Sequence, residues 1–369
     1  MNVMKLIYDD TRNSSDLFYK TAFKIPDPVI FFEYKNKTYL ILNDLEMERG
    51  IREKKVDKIL SQREISKSIK SNEITKIINH ILLKFKVKEL EVPYNFPSFI
   101  FRRISNSKIK IRPSESPIFF NSRVTKTKKE IKFISNVMRS TESIMKLVID
   151  KIKYSKPRKQ NLYNDGKILT SEYLRKLCQK ELVSLGLECP DCIIACGKES
   201  ALPHHQGSGP IKENQPIVID IFPRDIETGY FADITRTVVK GSPNQELKNL
   251  YNAVFEAQKL GLSLIRSGIK CDMVHDAIFR FFQESGYQTD YGKKTPQGFI
   301  HSTGHGLGLD IHEPPRISKG RDILKENYVV TVEPGLYYKK LGGVRIEDTI
   351  LVTKNGYKNL TKFPKFLKI

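Results

Sequence analysis

The 369-residue sequence contains no tryptophan, and no apolar run in it approaches the roughly 20 residues of a membrane-spanning helix. The missing tryptophan excludes nothing; the missing apolar run argues against a helical membrane protein. The first residues, MNVMKLIYDDTRNSS, lack both the apolar core and the small-residue cleavage site of a secretory signal. A cytoplasmic location is therefore expected, with no membrane partner. Cysteine is scarce: Cys178, Cys189, Cys192, Cys196 and Cys271. An odd number without a secretion signal points to reduced thiols. The spacing Cys189-x2-Cys192-x3-Cys196 is open to a zinc or iron–sulfur reading, but no fourth thiolate stands at usable spacing. The isoleucines between Cys192 and Cys196 read as a strand instead. Acidic residues are in deficit, 42 against 63 Lys and Arg, which leaves a net charge of +21. Such an excess can mark a phosphate-binding face. Here it is mostly lysine, spread widely, with no zinc-finger, RNP or helix-turn-helix pattern. A solvated basic surface is expected, and nucleic acid is not an expected partner.

The length suits one large domain or two. In the first third, VIFFEYKN and TYLILND read as a hairpin turning at Lys35-Asn36-Lys37. Ile74, Ile77, Ile78, Ile81 and Leu82 follow a helical spacing, and short strands are expected near Leu90–Val92 and Ser107–Ile111. None of this region gathers His, Cys and carboxylates, so it reads as scaffold or a specificity domain. The pattern changes near residue 123. Thr127 and Glu130 form a capping box ahead of a long amphipathic helix carrying Ile131, Ile134, Met138, Met145 and Val148. A boundary is set there, giving domains 1–123 and 124–369. Beyond it come a polar loop at 154–167, a helix capped by Thr170 and stopped at Gly186, and strands PIVIDIF and YFADITRTVVKG. A helix opened by Ser242-Pro243-Asn244-Gln245, a helix over 272–285, and strands YVVTVEPGLYY and GVRIEDTILVT complete the chain. The fold class is α/β in the broad sense (α+β), with antiparallel-looking sheet flanked by helices.

One stretch stands out against this background. FIHSTGHGLGLDIHEPP, residues 299–315, holds three of the seven histidines, His301, His305 and His312, among glycines that permit close backbone approach. Four carboxylates lie in apolar strand contexts where a lone charge is costly: Asp220, Asp233, Glu333 and Glu347. Four carboxylates and a histidine make an oxygen-rich set able to hold two divalent ions. Such donors admit manganese, cobalt, iron or zinc without choosing among them; manganese is the working expectation.

The strings VIDIFP, ADITRT, STGHGLGLDIHE, VEPGLY and RIED, in that order over roughly residues 125–355, resemble the pita-bread metallopeptidases. That family includes methionine aminopeptidase, aminopeptidase P, prolidase and the non-peptidase creatinase. The resemblance implies a pita-bread catalytic domain and a dinuclear centre held by Asp220, Asp233, His305, Glu333 and Glu347. The first third resembles the creatinase-type N-terminal domain of the proline-specific branch. The segment between Asp220 and Asp233 is longer than usual in the family, an insertion a surface hairpin tolerates cheaply. Some bacterial aminopeptidase P-like sequences carry a similar IFPR insert, which inclines the expectation towards a Xaa-Pro aminopeptidase.

The resemblance further implies hydrolysis by a hydroxide held between two ions, with Glu333 as general base and proton carrier. His204, His301 and His312 are the expected donors to the developing oxyanion. Arg345 is expected to orient a ligand carboxylate together with Asp348. His275 is expected to be solvated and inert, and Arg236 either to support the ligands or to pair on the surface. The substrate is expected to be a peptide with proline at its second position, and the assembly a homodimer. Prolidase is the main alternative. A binding protein exploiting the basic surface, or a creatinase-like hydrolase, would normally depart from this ligand set.

Overall fold

A computed structural model describes residues 3–53, 55–104, 109–292 and 294–369. The chain forms two compact units, Met1–Arg123 and Val124–Ile369. No helix among the described residues is long and apolar enough to cross a membrane.

The first unit is built on a six-stranded mixed sheet. Strands Val3–Asp9, Val29–Tyr34 and Lys37–Leu42 pair antiparallel at its centre, and Lys58–Ser61, Glu89–Val92 and Lys110–Pro113 join in parallel. The hairpin turns at Lys35 and Asn36, whose φ values of 51° and 58° are those a tight two-residue turn of this twist requires. The helix Ile74–Lys84 lays Ile77, Ile78, Ile81 and Leu82 on one face of the sheet. At about 1.5–3 kcal/mol for each buried aliphatic side chain, that stripe anchors the helix. Leu17, Phe23, Phe119 and Phe120 cover the opposite face. The strand expected at Ser107–Ile111 begins at Lys110; residues 107 and 108 lie outside the described residues.

The second unit opens with the helix Lys128–Lys153, whose Thr127/Glu130 capping box is formed. It packs with the helix Ser171–Ser184 on an antiparallel three-stranded sheet of Ile193–Cys196, Ile217–Ile221 and Ile234–Val238. Helices Gln245–Leu264 and Cys271–Glu284 form a second pair over further antiparallel strands. Those strands are Gly304–Gly306, Glu313–Ile317, Val329–Val332, Asp348–Val352 and Tyr357–Asn359 in one sheet, and Gly335–Tyr338 with Gly342–Arg345 in another.

The structure corrects three expectations here. The polar loop at 154–167 is a small antiparallel meander of Lys156–Arg158, Asn161–Asn164 and Lys167–Ile168. Its turns fall at Lys159-Gln160 and Asp165-Gly166, all four at positive φ. An Asp-Gly hairpin signal was present in the sequence, but the polar flanks hid it. The helix expected to open at Ser242 is capped two residues later, because the Asn244 side chain accepts from Leu247 N–H at 2.8 Å. Finally, YVVTVEPGLYY and GVRIEDTILVT are each two strands, broken at Glu333-Pro334 and Ile346-Glu347.

Candidate metal centre

Those two breaks create the site. Val332 pairs with Asp348, so Glu333 leaves one strand beside the point where Glu347 enters the next. Pro334 lacks the N–H a continuing ladder needs. Glu333 N–H turns instead to the carbonyl of Thr303 at 2.7 Å, and Glu347 N–H to that of Thr235 at 3.1 Å. The two carboxylates are thereby aimed together from two sheets. Asp220 sits mid-strand opposite Thr235, and Asp233 immediately precedes the same strand. His305 lies where the ladder shifts register between His305 and Gly306. A side chain at Gly304 would bring its Cβ within 2.0 Å of the Thr331 carbonyl, so only glycine lets His305 approach this closely.

Ligand atoms of Asp233, His305 and Glu347 lie within 4.8 Å of one another. His305 Nε2 is 3.6 Å from Asp233 Oδ2 and 3.5 Å from Glu333 Oε1. Its Nδ1–H donates to the Gly306 carbonyl at 3.1 Å, which leaves a bare lone pair on Nε2 facing two carboxylates. Burial then pushes the imidazole down to about 3, with His312 adding to the effect, so the ring is neutral. Burial also raises Asp233 and Glu333 well above the usual carboxylate range, with Glu347 the next contributor to both. Glu347 is pushed up to about 8 by burial and then by Asp220. Oδ1 of Asp220 and Oδ1 of Asp233 are buried without a hydrogen-bond partner. A cluster of lone pairs and orphaned carboxylate oxygens fits divalent cations.

Arg345 opposes this negative charge. Its Nη2 donates to Asp220 Oδ2 at 2.6 Å, its Nε to Thr235 Oγ1 at 3.2 Å, and its Nη1 to Tyr337 Oη at 2.8 Å. It does not pair with Asp348, contrary to expectation. Asp348 belongs to Arg236, whose Nη2 donates to Asp348 Oδ1 at 2.9 Å and whose Nη1 donates to the Glu347 carbonyl at 2.5 Å. Arg236 is 2% exposed and also grips the carbonyls of Phe363 and Pro364, so it is an internal brace of the Glu347 break.

His301 spends both ring nitrogens inside the protein. Nδ1–H donates to the Ser302 carbonyl at 2.7 Å, and Nε2 accepts from the Tyr337 hydroxyl at 2.8 Å. Burial holds it down near 3, so neutrality matches that tautomer. His312 is exposed, with its ring edge-on to His305 at a centroid distance of 4.4 Å. His204 is exposed. The neighbouring His205 turns into its own loop, accepting from Gly207 N–H at 3.0 Å. His275, expected to be solvated, is buried and meets Thr303 Oγ1 at 3.0 Å and the Phe299 ring at 5.2 Å. Its helical spacing hid the fact that the flanking face packs on the histidine-rich segment.

The sequence reading missed Tyr337, Thr235 and a buried pair. Tyr337 links His301 to Arg345, and Gly335 is obligatory beneath it because a Cβ there would meet its hydroxyl at 2.4 Å. The pair is Lys126 Nζ with Glu313 Oε2 at 2.7 Å, their side chains 2% and 1% exposed. Glu313 also accepts from the Leu309 and Asp310 N–H groups, which pins the loop that carries His312. Only distant-in-sequence pairing reveals it; Lys126 looked like one more surface lysine. Lys126→Met should cost about 3–5 kcal/mol by breaking this buried ion pair. Chemical denaturation of the variant checks this, and a loss under about 1 kcal/mol refutes the clamp.

Residues 133–354 match metallopeptidase family M24. The chain belongs to that family. Among relatives, this M24 member is 40% identical over 242 residues to the Xaa-Pro dipeptidase of Pyrococcus furiosus, spanning 65% of this chain and 64% of that one. It thus covers a little under two thirds of that relative's length. The crystal structure of the prolidase from Pyrococcus horikoshii superimposes with a TM-score of 0.81 at 28% identity, covering 99% of this chain and 95% of that chain. The X-Pro aminopeptidase from Thermotoga maritima gives 0.82 at 26% identity, covering 100% and 98%. The fold is the pita-bread fold of these enzymes, and the matched family is one of metallopeptidases.

Proposed function

We propose that the protein is a Xaa-Pro dipeptidase that uses two divalent ions. The similarity to prolidases carries this reading: the Pyrococcus furiosus relative is named for the dipeptide activity, and the Pyrococcus horikoshii prolidase matches 95% of its length. The inclination towards an aminopeptidase, which rested on one loop insert, yields to it. Asp220, Asp233, His305, Glu333 and Glu347 would hold the ions, with Arg345 orienting Asp220. The orphaned carboxylate oxygens and the bare His305 Nε2 support that set. When bound, the ions supply Lewis acidity and a water of lowered pKa near neutral pH.

The chain's own residues do the rest. Glu333, whose burial favours holding a proton, takes it from the attacking water and passes it to the leaving proline nitrogen. His312 and His204 donate to the carbonyl oxygen as it gains charge. His301 acts as a positioning residue, since both its nitrogens are engaged by Ser302 and Tyr337. The Met1–Arg123 unit is assigned as a creatinase-type specificity domain by its sequence strings. The deciding assay compares release of the first residue from Gly-Pro and from a Xaa-Pro-Xaa tripeptide with manganese present. Gly-Pro should be cleaved at least about tenfold faster; preferential tripeptide cleavage would restore the aminopeptidase reading, and no metal-dependent cleavage of either sinks both.

A further inference from the structure

The peptide unit that leads into Glu333 is held at both ends, and each hold traces back to a helix. That unit joins Val332 to Glu333, so its oxygen is the Val332 carbonyl and its N–H is that of Glu333, on opposite sides of one plane. Gln258 Nε2, on the helix Gln245–Leu264, donates to the Val332 carbonyl at 3.0 Å. The Glu333 N–H donates to the Thr303 carbonyl at 2.7 Å. Thr303 is fixed in turn. His275 Nδ1, on the helix Cys271–Glu284, lies 3.0 Å from its Oγ1, and its own N–H donates to the Ile317 carbonyl at 2.8 Å. We infer that Gln258 and His275 are positioning residues, which clamp this peptide unit from two helices and so aim the Glu333 carboxylate into the candidate metal centre.

Each residue is the polar exception in an apolar stripe. Gln258 lies among Val254, Ala257 and Leu262, and His275 among Val274, Ile278 and Phe282, all buried. Gln258 Oε1 is buried without a hydrogen-bond partner among the described residues. An orphaned acceptor is costly, and a leucine or methionine would fill the same space without one. Packing alone therefore argues against glutamine here; the bond to Val332 is what it adds. Close approach is also built in. A Cβ at Gly261, one turn beyond Gln258, would meet Ile278 Cδ1 at 2.7 Å and Val332 Cγ1 at 3.2 Å, so glycine lets this helix close on the second helix and on the strand.

The clamp falls where it has most leverage. Pro334 follows Glu333, so the next peptide has no N–H to hold, and the residue before a proline is kept in extended backbone. Functional groups need placement within about 0.5 Å. A peptide plane held at both ends restricts the rotation that would swing Glu333 Oε1 away from His305 Nε2, 3.5 Å off.

The inference rests on the proposed reading of Glu333, and its test separates the two. Manganese binding to the full chain is measured by calorimetry, with Gly-Pro turnover alongside. Gln258→Leu and His275→Phe should each weaken manganese binding and lower kcat about tenfold, the low end for groups that support metal ligands. KM for Gly-Pro should stay within about twofold. His275→Asn, which keeps an amide near the Nδ1 position, should recover part of the loss. In chelator, Gln258→Leu should melt no lower than wild type, because the orphaned acceptor is gone. If either main variant does not fold, Gln258→Met and Thr303→Val take their places with the same expectations. Manganese affinity and kcat within about twofold of wild type in both variants overturn the clamp, whatever the melting temperature does. A loss confined to one variant strikes the other residue from it. Wild-type protein that takes up no manganese overturns the metal reading and the clamp together. Binding without Gly-Pro turnover sinks the dipeptidase reading alone, and the affinities still decide the clamp.

Discussion

Asp233→Asn is expected to lower Gly-Pro turnover by more than about a hundredfold, since even partners outside the ligand set typically cost about 10–100-fold. The same change should make the metal-free protein less sensitive to alkali. Asp233, Glu333 and Glu347 all have raised proton affinities in the fold, with burial the first cause in each case. Groups whose folded values lie above their unfolded ones keep protons that the unfolded chain has released. Their stabilising contribution is complete below the ordinary carboxylate value of about 4. It is lost as pH climbs towards the folded values, which for Glu347 is about 8. Thermal unfolding in chelator should therefore show the melting temperature falling between about pH 5 and 8, with the Asp233→Asn change removing up to about 1.4 kcal/mol per pH unit of that slope. Divalent ions should reverse the trend by displacing those protons. A variant that keeps wild-type turnover, or the wild-type slope in chelator, contradicts the assignment of Asp233.

Asp220 and Asp233 were legible because a carboxylate inside a β-branched run has no cheap structural explanation. His305 was legible because the glycines that crowd it signal close backbone approach around an imidazole. What escaped was the manner in which these groups meet. Val329–Val332 and Gly335–Tyr338 read as one apolar string, yet Pro334 and the hydrogen bond from Glu333 to Thr303 send them into separate sheets. Hydrophobic patterning reports which residues are buried and is blind to such a change of partner. Arg236 and Arg345 were both read as basic residues beside acidic ones. Their division of labour, Asp348 for one and Asp220 for the other, depends on sheet register. Tyr337 carried no signal at all, since an aromatic residue in a strand is ordinary until its hydroxyl is seen between His301 and Arg345. The two exposed histidines, His204 and His312, are the reverse case, visible in the sequence and proposed to act on the substrate.

Arg345 supplies the second large effect, and it separates support of the ligands from bulk stability. Its guanidinium spans Asp220, Thr235 and Tyr337, a forked geometry that an ammonium cannot copy. Arg345→Lys keeps a positive charge beside Asp220 but gives up the fork. Metal affinity should fall by about 10–100-fold, and activity should return as the ion concentration is raised. Arg345→Met removes the charge as well and leaves Asp220 buried without its cation, at a cost of about 3–5 kcal/mol in chelator. Divalent ions would then supply positive charge facing Asp220, so they should recover much of that loss by mass action on the folded state. Titrating manganese into both variants, with turnover and melting temperature read in parallel, distinguishes the cases. If Arg345→Lys loses turnover that no metal concentration restores, the arginine acts on the substrate and not through Asp220, and the chain from Arg345 through Tyr337 to His301 becomes the part of the site that governs catalysis.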